Sequence, residues 1–355
     1  MDDERYMNQA LALAEKGRST VSPNPMVGCI IVKNGRIVGI GYHQKAGGPH
    51  AEVIALRRAG EKAKGATMYV TLEPCSHFGK TPPCSKAIIK AGIREVIIAQ
   101  KDPNPKTRGL RELKDSKILV RIGVLEQEAR KLNEVYSKFI VSKTPFVTLK
   151  LAVTLDGNIA TSTGSSQYIT SLASRTMVHR WRTQADGVMV GSNTLLQDNP
   201  RLTARHVKGK DPWKIVVDSE AKIPLSCNLM RHPNKLIIAI TSRAKSKKVG
   251  ILGKKGVTII LAEAKNKKVD LRKLIKELGK MSITSIMIEA GHGLATAAIS
   301  QKIVDKVAIF VAPKIIGNGI GAIGDIGIRD ISESRNLKDA AISRIGNDVL
   351  VEGYL

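Results

Sequence analysis

The chain opens with apolar positions at helical spacing. Met7, Ala10, Leu11 and Ala14 share one face, Asp2 or Asp3 can cap the start and Gly17 follows the end, which predicts a helix through Lys16. Ser22-Pro23-Asn24-Pro25 is a rigid turn that delivers the apolar run 27–32 as a strand. Asn34-Gly35 is a strong hairpin signal and folds Arg36–Tyr42 back on that strand. After Gly47-Gly48-Pro49 a helix opens at His50. Strand-like runs then alternate with helix-like ones: strands at 67–72, 95–99 and 118–121, helices at 84–91, 110–114 and from 125 to about 141. Such alternation predicts an α/β layer fold with a largely parallel interior.

Ser142-Lys143-Thr144-Pro145 reads as a short linker, dividing the chain into domains at 1–144 and 145–355. Beyond it, apolar runs predict strands at 146–155, 187–190, 214–218, 236–241, 257–261, 285–289 and 304–313. Helices are predicted at 172–183, at 270–278 and from the Gly291 region to about Gln301. Gly191-Ser192-Asn193-Thr194 reads as a polar loop, 317–321 as a glycine-dense mobile loop, and 341–355 as two short edge strands around Gly346-Asn347-Asp348.

Length supports this division, since 355 residues exceed one ordinary domain. With 43% hydrophobic but only 3% aromatic residues, the cores must rest on Ile, Val, Leu and Ala. No apolar run approaches the roughly 20 residues that span a bilayer. The start, Met1-Asp2-Asp3-Glu4, is acidic where a secretory signal is basic. Four cysteines in such a length fit a reducing compartment, so the expected location is cytoplasmic. A net charge of +26 invites a nucleic-acid reading. The Lys and Arg residues are spread along the chain, however, and aromatic residues for stacking on bases are scarce. Steering of an anionic, phosphorylated small molecule explains the charge better, with neither nucleic acid nor membrane as partner.

Candidate chemistry concentrates between His50 and Cys84. His50, Cys75 and Cys84 are three ligands for zinc, and Glu52 follows the first of them closely. Three protein ligands leave the fourth tetrahedral position open, and zinc lowers the pKa of a bound water to roughly 7. Glu52 would then carry a proton from that water to a departing nitrogen, as in zinc deaminases of the H-x-E…P-C-x-x-C type. The second cysteine lies nine residues after the first, so the general pattern is only partly matched. Cys29 and Cys227 read as buried small hydrophobes. Two other readings stay open from these residues: a nucleoside or tRNA-base deaminase fused to an unrelated domain, and a basic nucleic-acid-binding protein whose zinc is closed by a fourth ligand such as His77. In the second half, the strand ending at Glu289 runs into Ala290-Gly291-His292-Gly293 and a helix, an arrangement that presents backbone N–H groups to a phosphate. The full G-x-G-x-x-G pattern with a later acidic residue is absent, which excludes a Rossmann dinucleotide site there.

Together, Asn24-Pro25-Met26-Val27-Gly28, Gly47-Gly48-Pro49-His50-Ala51-Glu52, Thr71-Leu72-Glu73-Pro74-Cys75-Ser76-His77, Thr81-Pro82-Pro83-Cys84 and Asp102-Pro103-Asn104-Pro105 resemble the bifunctional riboflavin-biosynthesis deaminase/reductase family. Leu149-Lys150-Leu151-Ala152, Asp156-Gly157, Ser166-Gln167-Tyr168, Asp198-Asn199-Pro200-Arg201-Leu202-Thr203 and Glu289-Ala290-Gly291 extend the resemblance to the second half. It departs at Lys106-Thr107-Arg108-Gly109, which retains one glycine of a G-x-G stretch, and at Tyr168, where the family carries tryptophan. The resemblance implies an α/β chain: a cytidine-deaminase-like three-layer domain, then a dihydrofolate-reductase-like α/β domain. It also implies zinc on His50, Cys75 and Cys84, with Glu52 as the catalytic proton carrier. The implied substrate is 2,5-diamino-6-(ribosylamino)-4(3H)-pyrimidinone 5′-phosphate. After its hydrolytic deamination, NADPH would reduce the ribosyl group to ribityl. By position, Ala152, Tyr168, Thr194, Asp198, Ser219, Gly291, His292, Gly293, Leu294, Ala295, Thr296 and Ala297 would line the NADPH site. Ser166, Arg182, Leu202, Arg205 and Glu289 would meet substrate, the two arginines at its phosphate. A homo-oligomer is implied as well.

Overall fold

In the computed structural model, residues 2–78, 82–264 and 266–355 are described. Met1 and Thr81, parts of the acidic start and of the Thr81-Pro82-Pro83-Cys84 stretch, lie outside the described residues, as do Gly79, Lys80 and Lys265. The chain divides between Lys143 and Thr144 into two units, Met1–Lys143 and Thr144–Leu355.

The first unit runs α1 (Asp2–Glu15), β1 (Gly28–Lys33), β2 (Arg36–Tyr42), α2 (Ala51–Ala59), β3 (Thr67–Leu72), α3 (Cys84–Lys90), β4 (Glu95–Gln100), α4 (Gly109–Asp115), β5 (Leu119–Ile122), α5 (Glu126–Leu132) and α6 (Glu134–Ser142). Its five strands lie in the order β2-β1-β3-β4-β5. The β1–β2 hairpin and the β1–β3 pair are antiparallel, whereas β3, β4 and β5 are parallel. Alternate residues of the central strands feed opposite faces. Cys29, Ile31, Met68, Val70, Val96 and Ile98 pack with Ala51 and Ala55 of α2, Ile88 of α3 and Leu113 of α4. Ile30, Val32, Tyr69, Ile97 and Ala99 pack with Met7 and Ala10 of α1 and Ala129 of α5. The result is a three-layer sandwich.

Alanines and glycines set the spacing on the α2 side. A Cβ on Gly41 would stand 2.2 Å from the Ala51 carbonyl oxygen, and one on Gly39 would stand 2.4 Å from that of Ala55. The backbone of α2 therefore rests directly on β2. One sequence expectation fails in this unit: the long helix from 125 to 141 is broken. Asn133 separates α5 from α6, its Oδ1 accepting from the Met26 N–H at 2.8 Å and its Nδ2 donating to the Met26 carbonyl at 2.9 Å. That two-bond clamp to a residue far back in the chain overrides local helical propensity.

The second unit runs β6 (Phe146–Thr154), β7 (Asn158–Thr161), α7 (Leu172–Gln184), β8 (Gly187–Gly191), α8 (Ser192–Asp198), β9 (Trp213–Val217), β10 (Leu236–Ile240), α9 (Ser246–Lys254), β11 (Thr258–Leu261), α10 (Leu271–Lys280), β12 (Ser285–Glu289), α11 (His292–Ser300), β13 (Lys306–Ala312), β14 (Gly319–Gly321), β15 (Lys338–Ile345) and β16 (Asp348–Tyr354). Nine strands form one sheet in the order β11-β10-β9-β8-β12-β6-β13-β16-β15. It is parallel from β11 to β13 and antiparallel at the β13–β16–β15 end. Strands covered on both sides read as unbroken apolar runs, and all five residues of β10 are buried. Leu274 and Leu278 of α10 and Ala295 and Ala298 of α11 cover one face. Val178 of α7, Leu195 of α8 and Leu252 of α9 cover the other.

Four expectations are corrected here. The polar stretch after Gly191 is the helix α8, closed by Asn199 in the left-handed conformation. Between the strands expected at 236–241 and 257–261 lies a helix that the sequence reading did not include, α9. The glycine-dense segment includes β14, which pairs with β7 in a separate two-stranded ribbon. Of the two C-terminal strands only β15 is an edge, because β16 lies between it and β13.

A methyl group discriminates close approach from open space. Gly41→Ala is expected to destabilise the first unit by about 1–3 kcal/mol through overpacking and to lower bound zinc by displacing the start of α2. Gly250→Ala in α9 meets nothing within 4 Å and is expected to be neutral or to stabilise by up to about 1 kcal/mol. Thermal melts of the two variants, with metal content measured on each, check both.

Candidate active sites in the two units

The first site gathers where β3 ends. Glu73-Pro74-Cys75 leave that strand as a loop, and Glu73 is buried at 7% exposure. Its Oε1 accepts from the Leu110 N–H at 3.0 Å and its Oε2 from the Asp102 N–H at 3.3 Å. The loop is thereby tied to the first turn of α4. The approach is tight enough to require glycine at 109, where a Cβ would stand 1.8 Å from the Pro74 carbonyl oxygen. This is the glycine that the departing loop retains.

His50 is the N-cap residue of α2, its side chain makes no capping bond, and Cys84 is the first residue of α3. His50 Nδ1 lies 3.2 Å from Cys84 Sγ and 3.5 Å from Cys75 Sγ, and the Cys84 N–H donates to Cys75 Sγ at 3.4 Å. All three ligand atoms fall within 4.8 Å of one another. Tetrahedral zinc with ordinary Zn–N and Zn–S bonds separates such atoms by about 3.6 Å, so the donor set fits the metal. Among the described residues His77 is not part of this group.

The two cysteines shift one another. The contact with the Cys84 thiol lowers the Cys75 pKa, against the cost of burial, and His50 and the Cys84 N–H add to the effect. The same contact, with burial, raises that of Cys84. Glu52, at 3% exposure, lies in the first turn of α2. Burial raises its pKa, as does the negative Cys75, while His50 opposes them. A carboxyl group so placed exchanges protons more readily near neutral pH than a solvated one. His43 stands beside His50 in an edge-to-face contact with ring centroids 5.4 Å apart. It bridges the Pro49 carbonyl oxygen (Nδ1, 3.1 Å) and the Asn24 side chain (Nε2, 3.0 Å). Sequence reasoning took Asn24 as part of a turn and of a family motif, without a role of its own, and passed over His43.

The second unit holds a cavity of about 1580 Å³ at the carboxyl ends of its parallel strands, where ligands gather in such sheets. Of the residues expected at the cofactor, Ala152, Tyr168, Thr194, Asp198, Ser219, Gly291, His292, Gly293, Leu294, Thr296 and Ala297 line it. Ala295 does not: it is fully buried in the core beneath α11. Seven consecutive helical residues cannot all face one side. All five expected substrate residues, Ser166, Arg182, Leu202, Arg205 and Glu289, line the same cavity. The amino terminus of α11 opens onto it, and a Cβ on Gly293 would meet nothing within 4 Å. The space and the unpaired N–H groups suit a dinucleotide.

Arg182 and Glu289 form a bidentate pair at 2.6 and 2.8 Å, with side chains only 11% and 14% exposed. The second Arg182 arm donates to the Thr203 carbonyl at 2.9 Å. Burial alone would raise the Glu289 pKa, but Arg182, with help from Lys150 and His179, holds it down at about 2. Arg182 is thus committed within the protein. Arg205 has no ion-pair partner among the described residues, and burial, Arg182 and Arg201 all press against its charge. Lys150 also lines the cavity, its pKa lowered by burial and by Arg182 and raised by Glu289. Sequence reasoning missed it as a site residue, although one charge inside the apolar run 146–154 was a visible signal. Tyr168 is 64% exposed at the rim, with the Arg175 guanidinium 3.8 Å from its ring centroid.

Comparison with known proteins agrees with both halves. Residues 1–100 match the cytidine and deoxycytidylate deaminase zinc-binding region, and residues 145–351 match the RibD C-terminal domain. Riboflavin biosynthesis protein RibD of Aquifex aeolicus is 45% identical over 352 residues, covering 98% of this chain and 97% of that protein. The Escherichia coli protein of the same name is 40% identical over 365 residues, covering 98% of each. Among solved structures, Acinetobacter baumannii RibD superposes with a TM-score of 0.90 at 34% identity, covering 99% of this chain and 98% of its own. A deaminase/reductase from Thermotoga maritima superposes with a TM-score of 0.86 at 34% identity over similar shares, 99% and 98%. With a zinc-binding deaminase half and a dihydrofolate-reductase-like half that uses NADPH, the chain belongs to the RibD family of bifunctional riboflavin-biosynthesis enzymes.

Proposed function

We propose that the first unit deaminates 2,5-diamino-6-(ribosylamino)-4(3H)-pyrimidinone 5′-phosphate and that the second reduces the product's ribosyl group to ribityl. The observation that carries this reading is the convergence of His50, Cys75 and Cys84 beside a buried Glu52. The Thermotoga maritima relative is described as a diaminohydroxyphosphoribosylaminopyrimidine deaminase and 5-amino-6-(5-phosphoribosylamino)uracil reductase, which supports the choice of substrate. The chain would act in the cytoplasm as a homo-oligomer, and no described helix is long and apolar enough to cross a membrane.

His50, Cys75 and Cys84 would hold zinc, which when bound supplies a water acidified enough to attack at neutral pH. Glu52 takes a proton from the attacking water and gives it to the leaving amino group. The ring carbon gains an oxygen and loses ammonia. A carboxylate is needed for the first transfer and a carboxylic acid for the second, which a raised pKa serves. In the second unit the C1′–O4′ bond of the ribosyl group would open, O4′ taking a proton, and NADPH would supply a hydride to C1′ of the open-chain imine, whose nitrogen is left as the amine. Arg205 binds the substrate phosphate, Arg182 holds Glu289 ionised and in place, and Glu289 and Lys150 orient the sugar.

Glu52→Gln is expected to lower ammonia release by about 10²–10⁴-fold while bound zinc and reduction of pre-deaminated product stay intact. Loss of zinc along with activity would instead make Glu52 structural. Stripping zinc with a chelator should abolish ammonia release and spare NADPH oxidation on that same product, followed separately at 340 nm. Arg182→Ala leaves a buried carboxylate unpaired and should cost about 3–5 kcal/mol. Because the Glu289 pKa is depressed to about 2 from roughly 4.3 when unfolded, the pair's contribution is complete above about 4.3 and is lost as pH falls towards 2. Denaturant unfolding of wild type and variant across that range should show the gap between them closing in acid.

A further inference from the structure

Asn133 is the N-cap residue of α6, a position where asparagine ordinarily bonds the first N–H groups of its own helix. Its side chain makes no such bond. At 1% exposure it engages both polar groups of Met26 instead, at 2.8 and 2.9 Å. Met26 belongs to the loop that enters β1. In that loop the Asn24 amide bonds His43 Nε2 at 3.0 Å, and the Val27 carbonyl accepts from the His43 N–H at 2.9 Å. The His43 ring in turn stands against His50. Asn133 therefore holds the strand entry from which a chain of contacts runs to the first zinc ligand.

Tyr136 lies three residues further along, on the same side of α6, and reaches a different loop. Its hydroxyl donates to Asp102 Oδ1 at 3.0 Å. Burial, then the Asp102 charge, raises the Tyr136 pKa, with Cys75 near enough to add to it, so the hydroxyl stays a donor. Asp102 is the knot of the loop after β4. It accepts from the Asn104 N–H at 2.9 Å and the Thr107 hydroxyl at 2.8 Å, and its own N–H meets Glu73, which leads into Cys75. One turn of α6 thus holds two loops, each connected to a zinc ligand, while neither of its residues belongs to the ligand group. Local stability favours neither arrangement, since the helix gives up a cap and a phenol is buried against a carboxylate. Resting on the deaminase reading above, we propose that Asn133 and Tyr136 are positioning residues for deamination, each keeping one of the two loops that border the zinc site in the shape that receives substrate.

Two single variants of the full chain, Tyr136→Phe and Asn133→Ala, test it. Both should keep their zinc and oxidise NADPH on pre-deaminated product as wild type does. Tyr136→Phe loses one hydrogen bond and should raise KM for ammonia release from the diaminopyrimidinone phosphate about 3–10-fold, with kcat within about twofold of wild type. Asn133→Ala loses two and should raise the same KM about 10–100-fold. Amide hydrogen exchange on the zinc-loaded chain separates the two loops. Tyr136→Phe should quicken exchange at Asn104 and Lys106 and leave Met26 and Val27 as they are, and Asn133→Ala should do the reverse. If Asn133→Ala does not fold, Tyr136→Phe, which keeps the packed ring, decides alone. An unchanged KM, zinc lost along with activity, or a fall in kcat at constant KM would each overturn the inference. Exchange that stays unchanged in the loops, or quickens throughout the first unit, would do the same. A wild-type chain that released no ammonia would overturn the deaminase reading itself, and this inference with it.

Discussion

Helix amino termini aimed at the end of one strand are the constraint on which the first site depends. α2 begins beside His50, α3 begins at Cys84, and α4 begins where its Leu110 N–H meets Glu73. Each start exposes backbone N–H groups and a partial positive charge. Together they make the loop after β3 a place where thiolate and carboxylate are tolerated away from water. Parallel packing of β3, β4 and β5 puts all these starts on the same edge of the sheet. Without that arrangement the three ligands would have no reason to meet.

The second unit solves a different problem, a buried carboxylate that stays charged at the wall of a cavity. Glu289 would be neutral there if burial acted alone, and the bidentate Arg182 reverses the outcome. The same pairing engages Arg182 within the protein, whereas Arg205 has no ion-pair partner among the described residues. Two arginines that look equivalent in a sequence therefore differ in what holds them. What divides them is where their elements run: Arg182 projects from the last turn of α7 against β12, Arg205 from a loop.

The elements that build the first site were legible because their signals are local: the strand-like run 67–72, the Asn34-Gly35 hairpin, and the H-A-E and E-P-C stretches. The misreadings all involve partners remote in the chain. Nothing near Asn133 reveals that Met26 will claim both ends of its amide, and nothing near Gly319 reveals a strand partner in β7. α8 was hidden for another reason, since Ser192-Asn193-Thr194 is as good a helix opening as it is a loop. The residues expected at the cofactor line one cavity with the exception of Ala295, which the pitch of α11 sends into the core.

Backbone contact between α2 and β2 has a consequence for how this enzyme can vary. The interface is made by carbonyl oxygens lying where Gly39 and Gly41 have no side chain, so its width is a property of the main chain and not of interlocking side chains. Substitutions that reshape the aliphatic core elsewhere in the sandwich can drift without moving His50. A single added carbon at either glycine cannot. The metal centre is thus insulated from most of the mutational noise around it and exposed to almost none of the gradual kind, a hinge point where variation is either silent or abrupt.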